Sequence, residues 1–296
     1  MYRNVAKDVI INGSSDEQTV ADAFARNFES VYCNSLSNTN AKAEYDDLFA
    51  DMNDNHTVDL LFTVQLVDAC IRKLKLGKAS GRDDLYAEHL LHAHPILVVL
   101  LCLLYRDMIV HGYVPDDFGV GTIVPIIKDK SSDTNDTGNY RGITLIPVIS
   151  KLFELVLLEI CTPLLCTDDL QFGFKKGLGC TNAIFLLQET VDYFLSRGSS
   201  LFVAALDFQK AFDRVNFYKL FTSLIKSGLP KSIICVLLNW YNKLTVSVKW
   251  KSTFSNNFCV SSGVRQGGVL SPALFNVFIN VFISELKLCN YECKMT

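Results

Sequence analysis

Residues 201–215 read LFVAALDFQKAFDRV, and this stretch constrains the fold of the chain more than any other. The apolar run 201–206 ends at Asp207, and the pattern predicts a short, fully buried strand followed by a polar turn. A carboxylate at the end of a buried strand is costly unless a charge or a hydrogen-bond donor meets it. Asp207 is therefore either a cap or a ligand. Further along, residues 263–272 read GVRQGGVLSP, a glycine-rich loop leading into an apolar helix.

The chain has 296 residues, enough to bury roughly 75% of its unfolded surface. Its apolar fraction of 49% supports a large core. The net charge is −3, from 28 basic and 31 acidic residues, which is a poor overall match to a nucleic-acid binder. Binding through a local basic lane stays open, because the contacts that matter are to phosphates. Ten cysteines without a CxxC pair read as reduced thiols of an intracellular protein. The first residues lack the apolar core of a secretory signal. The longest apolar run, 95–105, falls short of the ~20 residues of a membrane span and reads as a buried helix.

Residues 1–60 are polar, with one amphipathic helix at 20–32 that puts Ala21, Phe24, Phe28 and Val31 on one face, and a linker at 37–55. Helices are expected at 64–74, with Val64 on its apolar face, and at 90–110, the latter ended by Gly112 and Pro115. A strand at 120–128, broken by Pro125, leads through a hairpin tip at 128–138 to a second strand and then a helix beyond Pro147. Residues 171–180 form a glycine-rich basic turn, and Thr181 caps the helix after it. Asn216 caps a helix that stops at Gly228, and Pro230 opens another. Strands at 245–250 and 254–260 precede a helix begun by Ser271 and Pro272. Helices and strands interleave, and the fold class is α+β.

In this order, the two opening segments resemble the palm of reverse transcriptases, most closely those of LINE-type (non-LTR) retrotransposons. The resemblance implies a connector at 1–60, fingers at 61–200 and a partial palm at 201–296, with the reverse transcriptase core at about 120–296. It implies RNA-directed DNA synthesis with Mg²⁺, deoxynucleotides, an RNA template and a DNA primer as partners, no membrane, and a nuclear location. Asp207 and the backbone carbonyl of Phe208 would hold metal, since hard cations take oxygen ligands. Phe212 would stack under the incoming sugar and exclude a 2′-hydroxyl; its other reading is core packing. Asp213 is expected to cap or pair locally. Gln266 and Gly267 would face the nascent base pair, and Arg141, Lys151 and Lys128 would grip the triphosphate. Lys78, Arg82, Phe172, Lys175, Lys176 and Arg265 would line the template and primer. Where the family usually carries proline after Arg141, Gly142 stands here, and a looser corner is expected.

The family's aromatic-Ala-Asp-Asp turn and its thumb are not read in this sequence; after Ser271 only Glu285 and Glu292 are acidic. The expectation is therefore a domain fragment, truncated before its second catalytic acid and inactive alone. The alternative is a non-enzymatic nucleic-acid binder or a decayed retroelement relic. An RNA-templated RNA polymerase or maturase palm ranks below both, because Phe212 suits a filter favouring deoxynucleotides.

Overall fold

The structure is a computed structural model and describes residues 9–33, 39–53, 58–129 and 131–288. Two hydrophobic clusters organise it. The smaller forms around α1 (Glu17–Tyr32), whose N-cap is Asp16: its side chain accepts from the Thr19 backbone N–H. Val20, Phe24 and Phe28 turn one face of α1 onto β1 (Val120–Ile127), β2 (Tyr140–Leu145) and β3 (Thr245–Trp250). Phe24 is fully buried, edge-on to Tyr140 at 4.8 Å and tilted on Trp250 at 5.0 Å. Buried aromatic pairs of this kind add specific geometry to area burial.

β1 runs antiparallel to β2 and parallel to β3, and β4 (Thr253–Phe254) and β5 (Phe258–Cys259) pair antiparallel with β3. β1 continues through Pro125 and is not broken there. The parallel ladder with β3 ends at the Ile123–Val248 pair, so Pro125 faces only Gly142 and its missing N–H interrupts no bond on the β3 side. Gly142 is itself tightly packed: a Cβ there would lie 2.9 Å from Ile123 Cγ2 and 3.1 Å from the Phe28 ring. The corner is closed by α1 and not loosened.

The larger cluster is helical. It gathers α3 (Val64–Lys73), α5 (Ile96–His111), α6 (Val148–Cys161), α8 (Phe217–Lys226), α9 (Lys231–Tyr241) and the start of α10 (Ser271–Leu288). The expected linker contains α2 (Thr39–Ala50), which packs Tyr45 against Tyr218 and Phe221 of α8. Short α4 (Ala87–Leu91) ends before Pro95, so the expected helix over 90–110 is two helices. α5 is only half buried, and Ile96, Leu100 and Leu103 remain exposed. Val64, at the first turn of α3, is likewise outside the core. Thr181 lies inside α7 (Cys180–Ser196), whose N-cap is Gly179; the Asn182 side chain accepts from the Gly179 N–H.

One element departs from expectation more than the others. Residues 201–208 form no strand, and Phe202 is 94% exposed. No backbone hydrogen bond reaches them among the described residues. A strand needs an open edge to pair with. β1 is flanked on both sides, and at the outer edge of β2 the Thr144 N–H donates to the Gln266 carbonyl at 2.8 Å.

Phe24→Ala should cost about 3–5 kcal/mol in a urea-denaturation experiment. Ile184→Ala, on α7 where no residue is buried, should change stability by less than about 0.5 kcal/mol.

Candidate nucleotide-handling site

The loop carrying Arg265, Gln266, Gly267 and Gly268 is held from below by a buried ion pair. Glu154, on the core face of α6, accepts from Arg265 Nη2 at 2.6 Å, and both side chains are almost fully buried. The second carboxylate oxygen accepts from the backbone N–H groups of Val269 and Leu270. Arg265 also donates to the Phe118 carbonyl at 3.4 Å and lies over the Trp240 ring at 4.7 Å. Arg265 is thus an interior anchor and does not line a template path, which corrects the expectation for it. Sequence reading also missed Glu154. Its signal was an acid set within the apolar run of α6, a position that is costly unless paired.

Two close backbone approaches shape the loop. Gly263 has φ +93, and a Cβ there would sit 2.7 Å from the Asp213 carbonyl oxygen. Gly267 has φ +121, and its Cβ would meet the Thr144 carbonyl oxygen at 2.7 Å. Both conformations suit glycine alone. They let residues 262–267 lie directly against 212–215 and β2. Gly263 N–H donates to the Val215 carbonyl at 2.7 Å, Val264 N–H to the Phe212 carbonyl at 2.8 Å, and Ser262 Oγ to the Asp213 carbonyl at 3.2 Å. Gln266 Nε2 donates to Asp213 Oδ1 at 2.7 Å.

Around this seam the structure gathers some expected residues and leaves others apart. Lys128 and Arg214 act electrostatically on Lys210, and the two lysines act on Asp213. Lys128 Nζ also donates to the Gly138 carbonyl at 2.8 Å. Arg141 is exposed on β2, with no ion pair among the described residues. Lys151 is half-buried on α6, and burial lowers its pKa against the opposing pull of Glu154 and Asp83. Phe212 stacks on Phe275 at 4.6 Å and meets Phe174 edge-on at 5.5 Å, so it is wedged between two rings. Phe172 is partly buried and Lys176 and Lys78 are exposed, whereas Lys175 donates to the carbonyls of Thr167 and Asp168. Arg82 is tied to Ser247 Oγ at 2.8 Å and lies over Phe254, beside β3.

Asp207 is exposed on the unpaired run, and Phe208 packs edge-on against Phe282 of α10 at 5.6 Å. Among the described residues no group of three His, Cys, Asp or Glu side chains could hold a metal ion. Glu285 lies on α10, and Glu292 falls outside the described residues. A divalent cation takes several oxygen ligands. Asp207 and the Phe208 carbonyl, as they stand, do not make such a site.

An α+β domain with a glycine loop capping a sheet edge, an Asp-aromatic segment sewn to that loop and lysines at the seam has the make-up of a nucleotide-handling polymerase domain. Residues 127–296 match the family described as reverse transcriptase (RNA-dependent DNA polymerase), and the chain belongs to that family. The chain is 25% identical over 272 residues to the probable RNA-directed DNA polymerase from transposon BS of Drosophila melanogaster, covering 90% of this chain and 30% of that protein. It is 28% identical over 222 residues to the RNA-directed DNA polymerase from mobile element jockey of the same organism, covering 73% and 24%. It is 32% identical over 212 residues to the probable RNA-directed DNA polymerase from transposon X-element, also of Drosophila melanogaster, covering 68% and 22%. The reverse transcriptase domain is of the LINE (non-LTR retrotransposon) type, and the chain spans less than a third of the length of these relatives. No helix among the described residues is long and apolar enough to cross a membrane.

Removing the Glu154 carboxylate leaves Arg265 buried and uncompensated. Glu154→Ala should cost about 3–5 kcal/mol. Glu159→Ala, which breaks the exposed pair with Lys73, should cost less than about 1 kcal/mol in the same denaturation series.

Asp213 supplies a pH test. Burial raises its carboxyl pKa, opposed by Gln266, Tyr32, Lys210 and Lys128. The folded protein therefore holds this proton to higher pH than the unfolded chain does. Its contribution to stability is full below the ordinary carboxylate pKa and is lost as pH rises through the raised folded value. Thermal midpoints of Asp213→Asn should gain on those of the parent chain as pH climbs through that window.

Proposed function

We propose that this domain handles the nucleotide and primer-template in RNA-directed DNA synthesis. The observation that supports this reading is the seam itself. It brings Gln266 and Gly267 against the edge of β2 and Phe212 against Val264 of the same loop, with the charges of Lys128 and Lys210 acting on Asp213 and that of Arg214 on Lys210. Phosphate oxygens call for such donors, and their attraction is screened by salt. In this reading Arg141 and Lys128 contact the triphosphate and Phe212 meets the sugar. Exposed Lys176 and Lys78 face nucleic acid, and Asp207 contributes one metal ligand. The relatives' names support RNA as template, DNA as product and deoxynucleotides as substrates.

A binding role without chemistry is the second reading, favoured by the exposure of Asp207 and the lack of a metal-holding cluster around it among the described residues. Fluorescence anisotropy with a labelled RNA–DNA primer-template, run beside primer extension with Mg²⁺, separates the two. Binding should weaken by roughly an order of magnitude or more between 50 and 200 mM salt, and Lys128→Ala with Arg141→Ala should flatten that dependence. Extension that Asp207→Asn abolishes supports polymerisation, whereas salt-dependent binding without extension supports the binding role. Absence of salt-dependent binding would overturn both, and extension that survives Asp207→Asn would remove Asp207 from the chemistry.

A further inference from the structure

Cys33 and Cys259 stand 226 positions apart in the chain and meet in the fold. Cys33 follows the last turn of α1, and Cys259 is the last residue of β5. The Cys33 thiol donates to the Cys259 backbone carbonyl at 3.1 Å. Both are free thiols; Cys259 is exposed and Cys33 is partly so. Cys70, Cys102 and Cys161, by contrast, are buried in the helical cluster, where a dissolved oxidant does not reach.

Backbone contacts on both sides hold the two cysteines together. The Tyr32 backbone carbonyl accepts from Ser261 N–H at 3.3 Å, Ser261 Oγ at 3.0 Å and Ser262 Oγ at 2.8 Å. Val260 N–H donates the other way, to the Leu244 carbonyl at 3.0 Å. The strap 259–262 is thus fixed between the end of α1 and the start of β3. Phe258, one residue earlier, is buried with Phe24 and Phe28 of α1. A disulfide forms only between neighbouring backbones, and these are neighbours already joined by hydrogen bonds. Burial pushes the pKa of the Cys33 thiol up, helped by Glu29 and Cys259 and opposed by Ser261. Cys33 therefore keeps its proton, and Cys259 is the sulfur of the pair that an oxidant meets first.

We propose that Cys33 and Cys259 are a redox-sensitive pair, which a peroxide converts into a reversible disulfide that ties α1 to the strap leading into the glycine loop. The Cys259 thiolate attacks one oxygen of hydrogen peroxide. The O–O bond breaks, the other oxygen leaves as water after taking up a proton, and Cys259 becomes a sulfenic acid. The Cys33 sulfur then attacks the Cys259 sulfur and gives up its proton as a second water leaves. Two thiols and one peroxide thus yield one disulfide and two waters, and a dithiol reverses the bond by exchange. The pair acts independently of the proposed nucleotide-handling role. The strap runs on through Gly263 to Gln266, so the disulfide braces the seam from the α1 side whatever the seam binds.

The test treats the folded full chain with hydrogen peroxide, alkylates the remaining thiols and maps tryptic peptides without reduction. Residues 27–42 and 252–265 are tryptic peptides with one cysteine each, so their crosslink identifies the pair. The crosslink should form in the folded chain and become a minor product among many pairings when the same treatment is given in urea. Closing so long a loop should raise the thermal midpoint by roughly 5 °C, and dithiothreitol should return it to the starting value. Cys259→Ser and Cys33→Ser should each abolish both the crosslink and the rise. Cys259→Ser, at an exposed position, keeps the test open should Cys33→Ser disturb the end of α1. Absence of the crosslink in the folded chain overturns the inference, as does a crosslink that leaves the midpoint unchanged or a rise that survives Cys259→Ser.

Discussion

The buried pair of Glu154 and Arg265 is the constraint on which the rest of the site depends. Two opposite charges in an apolar interior are held there only if each is met by further hydrogen bonds. Here they are: the carboxylate takes two backbone N–H groups of the loop, and the guanidinium takes the Phe118 carbonyl and the Trp240 face. The consequence is geometric. α6, α9 and the loop before α10 are fixed to one point, and the backbone on either side of Gly267 has little freedom to move. Gln266 then projects from a loop braced by the core, the condition for a recognising side chain to be held in place.

From that anchor the site is built outward by backbone contacts. Gly263 and Gly267 remove the side chains that would separate the loop from Asp213 and from β2. The seam that results joins the helical cluster to the sheet cluster, because Val264 and Val215 belong to the first and β2 is packed under α1 in the second. α1 is part of this construction and not a detachable connector. Its Phe28 ring fills the space above Gly142, and its Tyr32 closes the seam.

What the sequence discloses and what it conceals divides along the range of the interactions. Asn216, Gly228, Pro230 and the Ser271–Pro272 start of α10 are legible because caps and breakers act within a turn of where they stand. The burial of Phe24 and Phe28 is legible from helical spacing. α2 is hidden, because its weak amphipathicity matters only once Tyr45 meets the aromatics of α8, far away in the chain. The Glu154–Arg265 pair spans 111 positions, so Arg265 reads as an exposed basic residue until the fold brings Glu154 beneath it. Pro125 reads as a strand breaker because the register that spares it is set by β2 and β3 together.

The run at 201–208 shows why apolar character alone does not make a strand. Phe202, Val203 and Leu206 have the composition of one, yet a strand is completed by a neighbour's backbone, and none lies beside it among the described residues. The consequence falls on Asp207. A carboxylate can serve chemistry only when its position is fixed to a fraction of an ångström, by packing and by a second shell of hydrogen bonds. Phe212 and Gln266, a few residues from the same motifs, have that support from Phe275 and Asp213. Asp207 does not. Within one domain, the placement of Phe212 and Gln266 is thus set by contacts among the described residues, whereas a fixed position for Asp207 would need a backbone partner that pairs the run 201–206.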